Sequence, residues 1–296
     1  STRVRSSAAS DVYKRQAYYS SSNAAATITN GTTAAKTAYV IANTGALANG
    51  PFANVTTEAD LKAVTGDLIS GNSATQTKNN LWMSGTDDIT FSGTNGSVTV
   101  QLGFVAAKIE LIVKDNRTNL TGGTIEIADE NVVLLYAGKS GKFFGTTADK
   151  AAQTAFYSGD VSYPDFQTGA ATESAVLKDA VGAAFTANAN GDVFNHFYTF
   201  GNDGTSKPTI LAIQSKRTVG GADETIYYPI QFTVADAGNT IEPGNAYTVT
   251  LTLSGDVDAG GGGGTTNPEQ PLVKSQISVT VTAATWLAKT VSKDFN

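Results

Sequence analysis

The chain has 296 residues, of which 16% are charged, with a net charge of −6, no cysteine and one histidine. The missing cysteines exclude a disulfide scaffold, a zinc–thiolate cluster and thiol chemistry. An acidic chain without a basic cluster offers no footprint for nucleic acid, and no apolar run is long enough to cross a bilayer as a helix.

Length favours two domains. A composition rich in Thr, Ser, Asn, Gly and Ala fits an exported β protein held by packing and strand pairing. Ser1 to Gln16 carries four basic residues against one acid, and SAASDVYKRQ resembles a translated sequencing-adapter junction, so this stretch reads as non-native or disordered. Ala17 to Thr37 reads as loosely ordered. Thr37 to Ala42 is a short strand stopped by Asn43-Thr-Gly45. Thr57 to Ile69 is a helix: Thr57 caps it, Asp60 closes a capping box, and Leu61, Val64 and Leu68 share a face.

Ser97 to Lys114 carries the longest strand signal. Val98, Val100, Leu102 and Phe104 are even-numbered, whereas Ile109, Leu111 and Val113 are odd. A one-residue slip reverses the buried face, so the sequence requires either a bulge near Ala106-Ala107 or a corner between two sheets. Thr124–Ile127 and Asn131–Ala137 continue the β pattern. Falling apolar density over Gly138 to Gly169 places a domain boundary near residue 160, giving domains over 17–160 and 161–296. Thr172 to Val181 reads as a second short helix.

Four alternating strands follow: Val193 to Phe200, Pro208 to Ile213, Thr225 to Val234 and Asn245 to Leu253. Pro229, opposite the apolar row of its strand, marks an edge or a bulge. A glycine-rich tether over 258–271, with five consecutive glycines from Gly260, leads into a last strand over 272–288, where Ile277, Val279 and Val281 alternate with polar residues. Such a strand either closes its own sheet after a long loop or reaches another molecule.

Catalytic, metal-binding and cofactor-binding sites are not expected. His196, the single histidine, lies among aromatic residues of a strand, and Gly138-Lys-Ser140 lacks the preceding glycine of a phosphate loop because that position is Val133. Asp256 and Asp258 read as a solvated loop, Asp87-Asp88 and Asp129-Glu130 as turns. The triplets beginning at Asn54 and Asn119 occur by chance in a Thr-rich chain.

Several of these segments together resemble the fimbrillin family, the type V pilin subunits of Bacteroidales-type bacteria. They are Ala38 to Gly45, Leu81 to Gly85, Val98 to Leu102 with Ala107 to Val113, Ile241 to Leu251, and Asn267-Pro-Glu-Gln-Pro271 with Ile277 to Trp286. Gly103-Phe104 departs from the family, which usually has an Arg shortly before the Ala-Lys-Ile strand.

The resemblance implies an all-β chain of two tandem transthyretin-like sandwiches with short helices. It implies export as a lipoprotein to the outer membrane and cell surface, and removal of an N-terminal strand by an arginine-specific protease. A fimbrium then grows when the C-terminal strand of one copy fills the groove of the next. The residues expected in the donated strand are Ile277, Val279, Val281, Ala283, Trp286 and Leu287. The partners implied are other copies or related subunits, with receptors on host or bacterial surfaces. The alternative is a surface adhesin or glycan-binding sandwich, a fimbrial tip or accessory subunit included, with Tyr18, Tyr19 and Trp82 as candidate ligand platforms; a hydrolase on a β scaffold is a third reading.

Overall fold

The computed structural model describes residues 2–7, 15–19, 33–42, 51–52, 54–67, 81–115, 124–145, 149, 156–157, 177–178, 193–253, 264–270, 277–285 and 287–295. The first stretch of chain contains β1 (Thr2–Ser7), β2 (Arg15–Tyr19), β3 (Thr37–Ala42), α1 (Glu58–Ala63), β4 (Thr65–Asp67), β5 (Met83–Asp88), β6 (Thr90–Ser92) and β7 (Asn95–Phe104). Next come β8 (Ala107–Asp115), β9 (Thr124–Leu135), β10 (Ala137–Gly138), β11 (Ser140–Lys142), β12 (Phe156–Tyr157) and β13 (Leu177–Lys178). β14 (Val193–Thr199), β15 (Ile210–Val219), β16 (Ala222–Gln231) and β17 (Asn245–Leu253) precede the terminal pair, β18 (Ile277–Thr285) and β19 (Leu287–Phe295).

These strands make an all-β fold of two bodies. The N-terminal body is a sheet in the order β19-β7-β5-β3-β1-β2, with β6 also paired to β7. β3 is apolar on both faces, whereas β7 buries only one. Val40, Val98, Val100 and Leu102 are buried on one. Tyr39 and Ile41 pack on the other with Phe52, Val55, Leu61, Val64 and Phe143. α1 and the small β4–β11 sheet supply that second layer.

The helix starts as its sequence requires: the Thr57 side chain accepts from Asp60 N–H at 3.1 Å, and the Asp60 carboxylate accepts from Thr57 N–H at 2.8 Å. It ends at Ala63, short of the expected Ile69, because Val64 is already extended and Thr65–Asp67 pairs with β11.

The C-terminal body is a sandwich of two four-stranded sheets, β14-β8-β17-β18 and β13-β9-β15-β16. Ile109, Leu111, Tyr247, Val249 and Leu251 of the first meet Val132, Leu134, Leu211, Ile213, Tyr228 and Ile230 of the second in one buried cluster. Pro229 lies on β16, the outermost strand of its sheet, where a missing N–H costs no ladder bond.

The parity slip in Ser97 to Lys114 is a corner between sheets. β7 runs in the N-terminal sheet and β8 pairs with β14 and β17 of the C-terminal sandwich. The boundary expected near residue 160 is therefore corrected to about residue 105: β8 and β9, both before 160, are central strands of the C-terminal body. Falling apolar density over 138–169 misled because the chain crosses back there, and β11 pairs with β4 in the N-terminal body.

Three further expectations change. Thr2–Ser7 and Arg15–Tyr19, expected within or next to a disordered segment, are strands, and β1 pairs with both β2 and β3. Leu177–Lys178 is a strand against β9 where a helix was expected; the rest of Thr172 to Val181 lies outside the described residues. Val234, read as the end of an apolar row, is exposed because β16 ends at Gln231 and the chain turns away.

The two bodies meet at the corner. Leu81, Ala106 and Tyr198 form a small buried cluster there, and Gly244 N–H donates to the Ala106 carbonyl at 3.0 Å. The turn carrying Gly244 is held by Tyr247, whose hydroxyl donates to the Thr240 carbonyl and accepts from Glu242 N–H, both at 2.8 Å. Burial raises the pKa of that hydroxyl, so it stays a neutral donor.

Candidate functional site

The C-terminal ribbon is the feature with functional geometry. β18 runs antiparallel along β17, from Leu253↔Ile277 through Val249↔Val281 to Asn245↔Thr285. β19 continues antiparallel along β7, from Leu287↔Gly103 to Phe295↔Gly96. One ribbon thus adds the outermost strand to a sheet of each body. β-Branched residues on β18 and β19 suit this extended state, and the backbone hydrogen bonds of each added strand contribute about 0.5–1.5 kcal/mol apiece.

The residues expected in a donated strand divide accordingly. Ile277, Val279, Val281 and Ala283 lie on β18, and Leu287 opens β19. Trp286, between them, is outside the described residues. Val281 is half-buried against the sandwich core, opposite Val249, whereas Ala283 is exposed. The apolar row therefore does not stay buried as far as Ala283. Within the single chain this ribbon pairs with its own sheets.

The tether is shorter than its composition suggests. Asp256, Asp258 and the glycines before Gly264 lie outside the described residues, but Gly264–Gln270 is packed on the sandwich. Thr265 pairs with Tyr227 on the outer side of β16 through backbone hydrogen bonds of 2.7 and 2.9 Å. The Tyr136 hydroxyl donates to the Glu269 carboxylate, and Gln231 Nε2 donates to the Glu269 carbonyl at 2.7 Å. Sequence reasoning missed this strap; Pro268 and Pro271 were its only visible signal.

Other candidate sites resolve into structure. Trp82 stacks on Phe143 with ring centroids 4.4 Å apart and planes at 11°, and it faces the bare backbone of Gly66. It is part of the N-terminal packing. Tyr18 and Tyr19 end β2, the strand at the far side of the same sheet. Gly138 N–H donates to Thr199 Oγ1 at 3.1 Å, Gly138 pairs with Phe156, and Ser140 opens β11, so Gly138-Lys-Ser140 joins two short strands and is not a phosphate loop. His196 lies in β14 opposite Glu110. Asp87-Asp88 ends β5 and Asp129-Glu130 lies within β9, so neither pair is a turn. Among the described residues no group of His, Asp and Glu could hold a metal ion, and no helix is long and apolar enough to cross a membrane.

Comparison with known proteins bears on the whole chain. Residues 106–286 match the C-terminal domain of the FimA-like major fimbrial subunit protein, a span of more than half the chain. This chain belongs to the FimA-like major fimbrial subunit family. Residues 6–91 match the major fimbrial subunit protein (FimA); this match ends within β6, and the C-terminal one starts at the corner between β7 and β8. A solved structure from Bacteroides eggerthii, described as a candidate cell adhesion protein, is 54% identical with a TM-score of 0.78, covering 96% of this chain and 88% of that one.

Two candidate cell adhesion proteins of Parabacteroides distasonis share the fold at 15% and 16% identity, with TM-scores of 0.58 and 0.52. Each covers 96% of this chain, and the matches take in 87% and 93% of those chains. No curated protein matches. This fimbrillin is thus a structural subunit of a cell-surface appendage, and its families are structural, not enzymatic.

Proposed function

We propose that this fimbrillin polymerises by lending its C-terminal ribbon to the next copy. The observation that carries the reading is that one ribbon supplies the outermost strand to both bodies. Departure of the ribbon opens the edges of β17 and β7, and an open edge recruits another strand. A neighbour's Ile277–Phe295 matches those edges residue for residue, because it is the same sequence. Donation from one copy to the next does not close on itself and so builds a filament. The filament would be anchored at the outer membrane after export, and loss of the N-terminal strands would open β3, a second acceptor edge in the same sheet.

The absence of native cysteine makes the test clean. Thr250 and Thr280 face each other across β17 and β18 on the side away from the core. Oxidising Thr250→Cys/Thr280→Cys is expected to give an intramolecular bond in monomers and a ladder of covalent oligomers in assembled material. Bonds that stay intramolecular within filaments overturn the proposal.

A further inference from the structure

Resting on the strand-exchange reading, we infer that Gly264–Gln270 is a fixed clasp, centred on Tyr136, and that the part of the chain able to leave its own molecule begins at Pro271. A strand that swings on a long glycine tether could reach in any direction. A strand released from a clasp leaves from one place on the surface, and this sets how far and in which direction the next subunit lies.

The clasp is built from independent contacts. Its first residue, Gly264, lies close to β16: a Cβ there would meet Ile226 Cδ1 at 2.9 Å and its Cβ at 3.2 Å, so a larger residue would have to displace that buried side chain. Thr265 then makes its two backbone bonds to Tyr227. A turn follows in which Glu269 N–H donates to Asn267 Oδ1 at 2.9 Å and Gln270 N–H donates to the Asn267 carbonyl at 3.0 Å, with Pro268 buried.

Glu269 is gripped from both ends, its carboxylate by the Tyr136 hydroxyl and its carbonyl by Gln231. Tyr136 is itself immobilised. It adopts φ +52°, in the left-handed region that non-glycine residues avoid, and its carbonyl accepts from Thr209 Oγ1 at 2.9 Å. Lys207 Nζ lies 4.4 Å from the ring centroid, and Phe156 meets the ring edge-on. A side chain so fixed offers its hydroxyl in one position, where Glu269 receives it.

The test uses the full chain in two measurements. In the monomer, the Thr265 amide is expected to exchange its hydrogen at least tenfold more slowly than those of the glycines over 260–263. Tyr136→Phe combined with Gln231→Ala should remove most of that protection while leaving Ile213, in the core of β15, unchanged. A Thr265 amide as fast as the preceding glycines overturns the clasp.

In the second measurement, Tyr227→Cys/Thr265→Cys locks the clasp covalently, and oxidised and reduced protein are compared for filament formation. Equal assembly supports a hinge beyond Gln270. Assembly by the reduced form alone, with the oxidised form reduced more than tenfold, overturns the inference and leaves strand exchange standing. If neither state nor the unaltered protein forms filaments, the strand-exchange reading falls and takes the hinge with it, and the Thr265 amide alone then decides the clasp.

Discussion

Gly66 and Gly141 face each other across the β4–β11 pair, and each has an aromatic ring against its bare backbone. A Cβ on Gly66 would lie 1.7 Å from a Trp82 ring carbon, and one on Gly141 would lie 2.3 Å from Phe200 Cδ1. Neither ring can yield easily, since Trp82 is stacked on Phe143 and Phe200 is buried in the same cluster. Gly66→Ala is therefore expected to destabilise the N-terminal body by about 1–3 kcal/mol through overpacking. Thermal unfolding followed by Trp82 fluorescence, in a Trp286→Phe background, would check it; an unchanged midpoint would refute the packing account.

Asp60 gives a residue-scale prediction in pH. Hydrogen bonds from the Thr56 hydroxyl, Thr56 N–H and Thr57 N–H hold its carboxyl well below the usual carboxylate range. The unfolded chain takes up the proton at the ordinary value, near 3.8, while the folded chain resists it. The contribution is thus fully present above that value and is lost as pH falls through it towards the lower folded pKa. Asp60→Asn should flatten this part of the acid-unfolding profile below pH ~4 and leave the slope at neutral pH unaltered. Equilibrium denaturation at stepped pH reads the difference.

At the scale of elements, what was legible in the sequence was whatever depends on local periodicity. Thr57 and Asp60 announced the cap, Pro229 announced an edge, and the slip between Phe104 and Ile109 announced a break between sheets. Long-range pairing was not legible. Nothing in Ala107–Asp115 says that it lies parallel to Asn245–Leu253, yet that pairing makes β8 a central strand of the C-terminal body and moves the domain boundary. Period-two alternation puts Tyr198 and Phe200 on one face of their strand. That face meets the N-terminal body, with Tyr198 against Leu81 and Phe200 against the Tyr39 cluster, while Phe197 enters the sandwich. Apolar alternation reports that a face is covered and is silent about which layer covers it. The same limit applies to the candidate site: alternation found the strand Ile277–Thr285, but its pairing with β17 and the strap before it depend on partners distant in sequence.

For the whole molecule, the strand exchange proposed above turns on the difference between the ribbon paired with its own sheets and the same ribbon paired with a neighbour's. On that proposal the contacts would be the same in both, so little would separate the two states in enthalpy, and the filament would be favoured by local concentration and by any gain where copies abut. The barrier is another matter: β18 and β19 must both peel away, and peeling exposes Val281 and the open edges of β17 and β7 together. Val279→Asp with Val281→Asp strikes both states. A carboxylate at Val281, half-buried against the core opposite Val249, has no described counter-ion there, and desolvating it costs several kcal/mol. The ribbon should then stay off either sheet, leaving soluble monomers whose remaining sandwich, from β8 to β17, still holds its buried cluster. Electron microscopy should show no filaments and size-exclusion chromatography a single monomer peak. Filaments of normal length from this variant would mean that the ribbon is not the polymerising element.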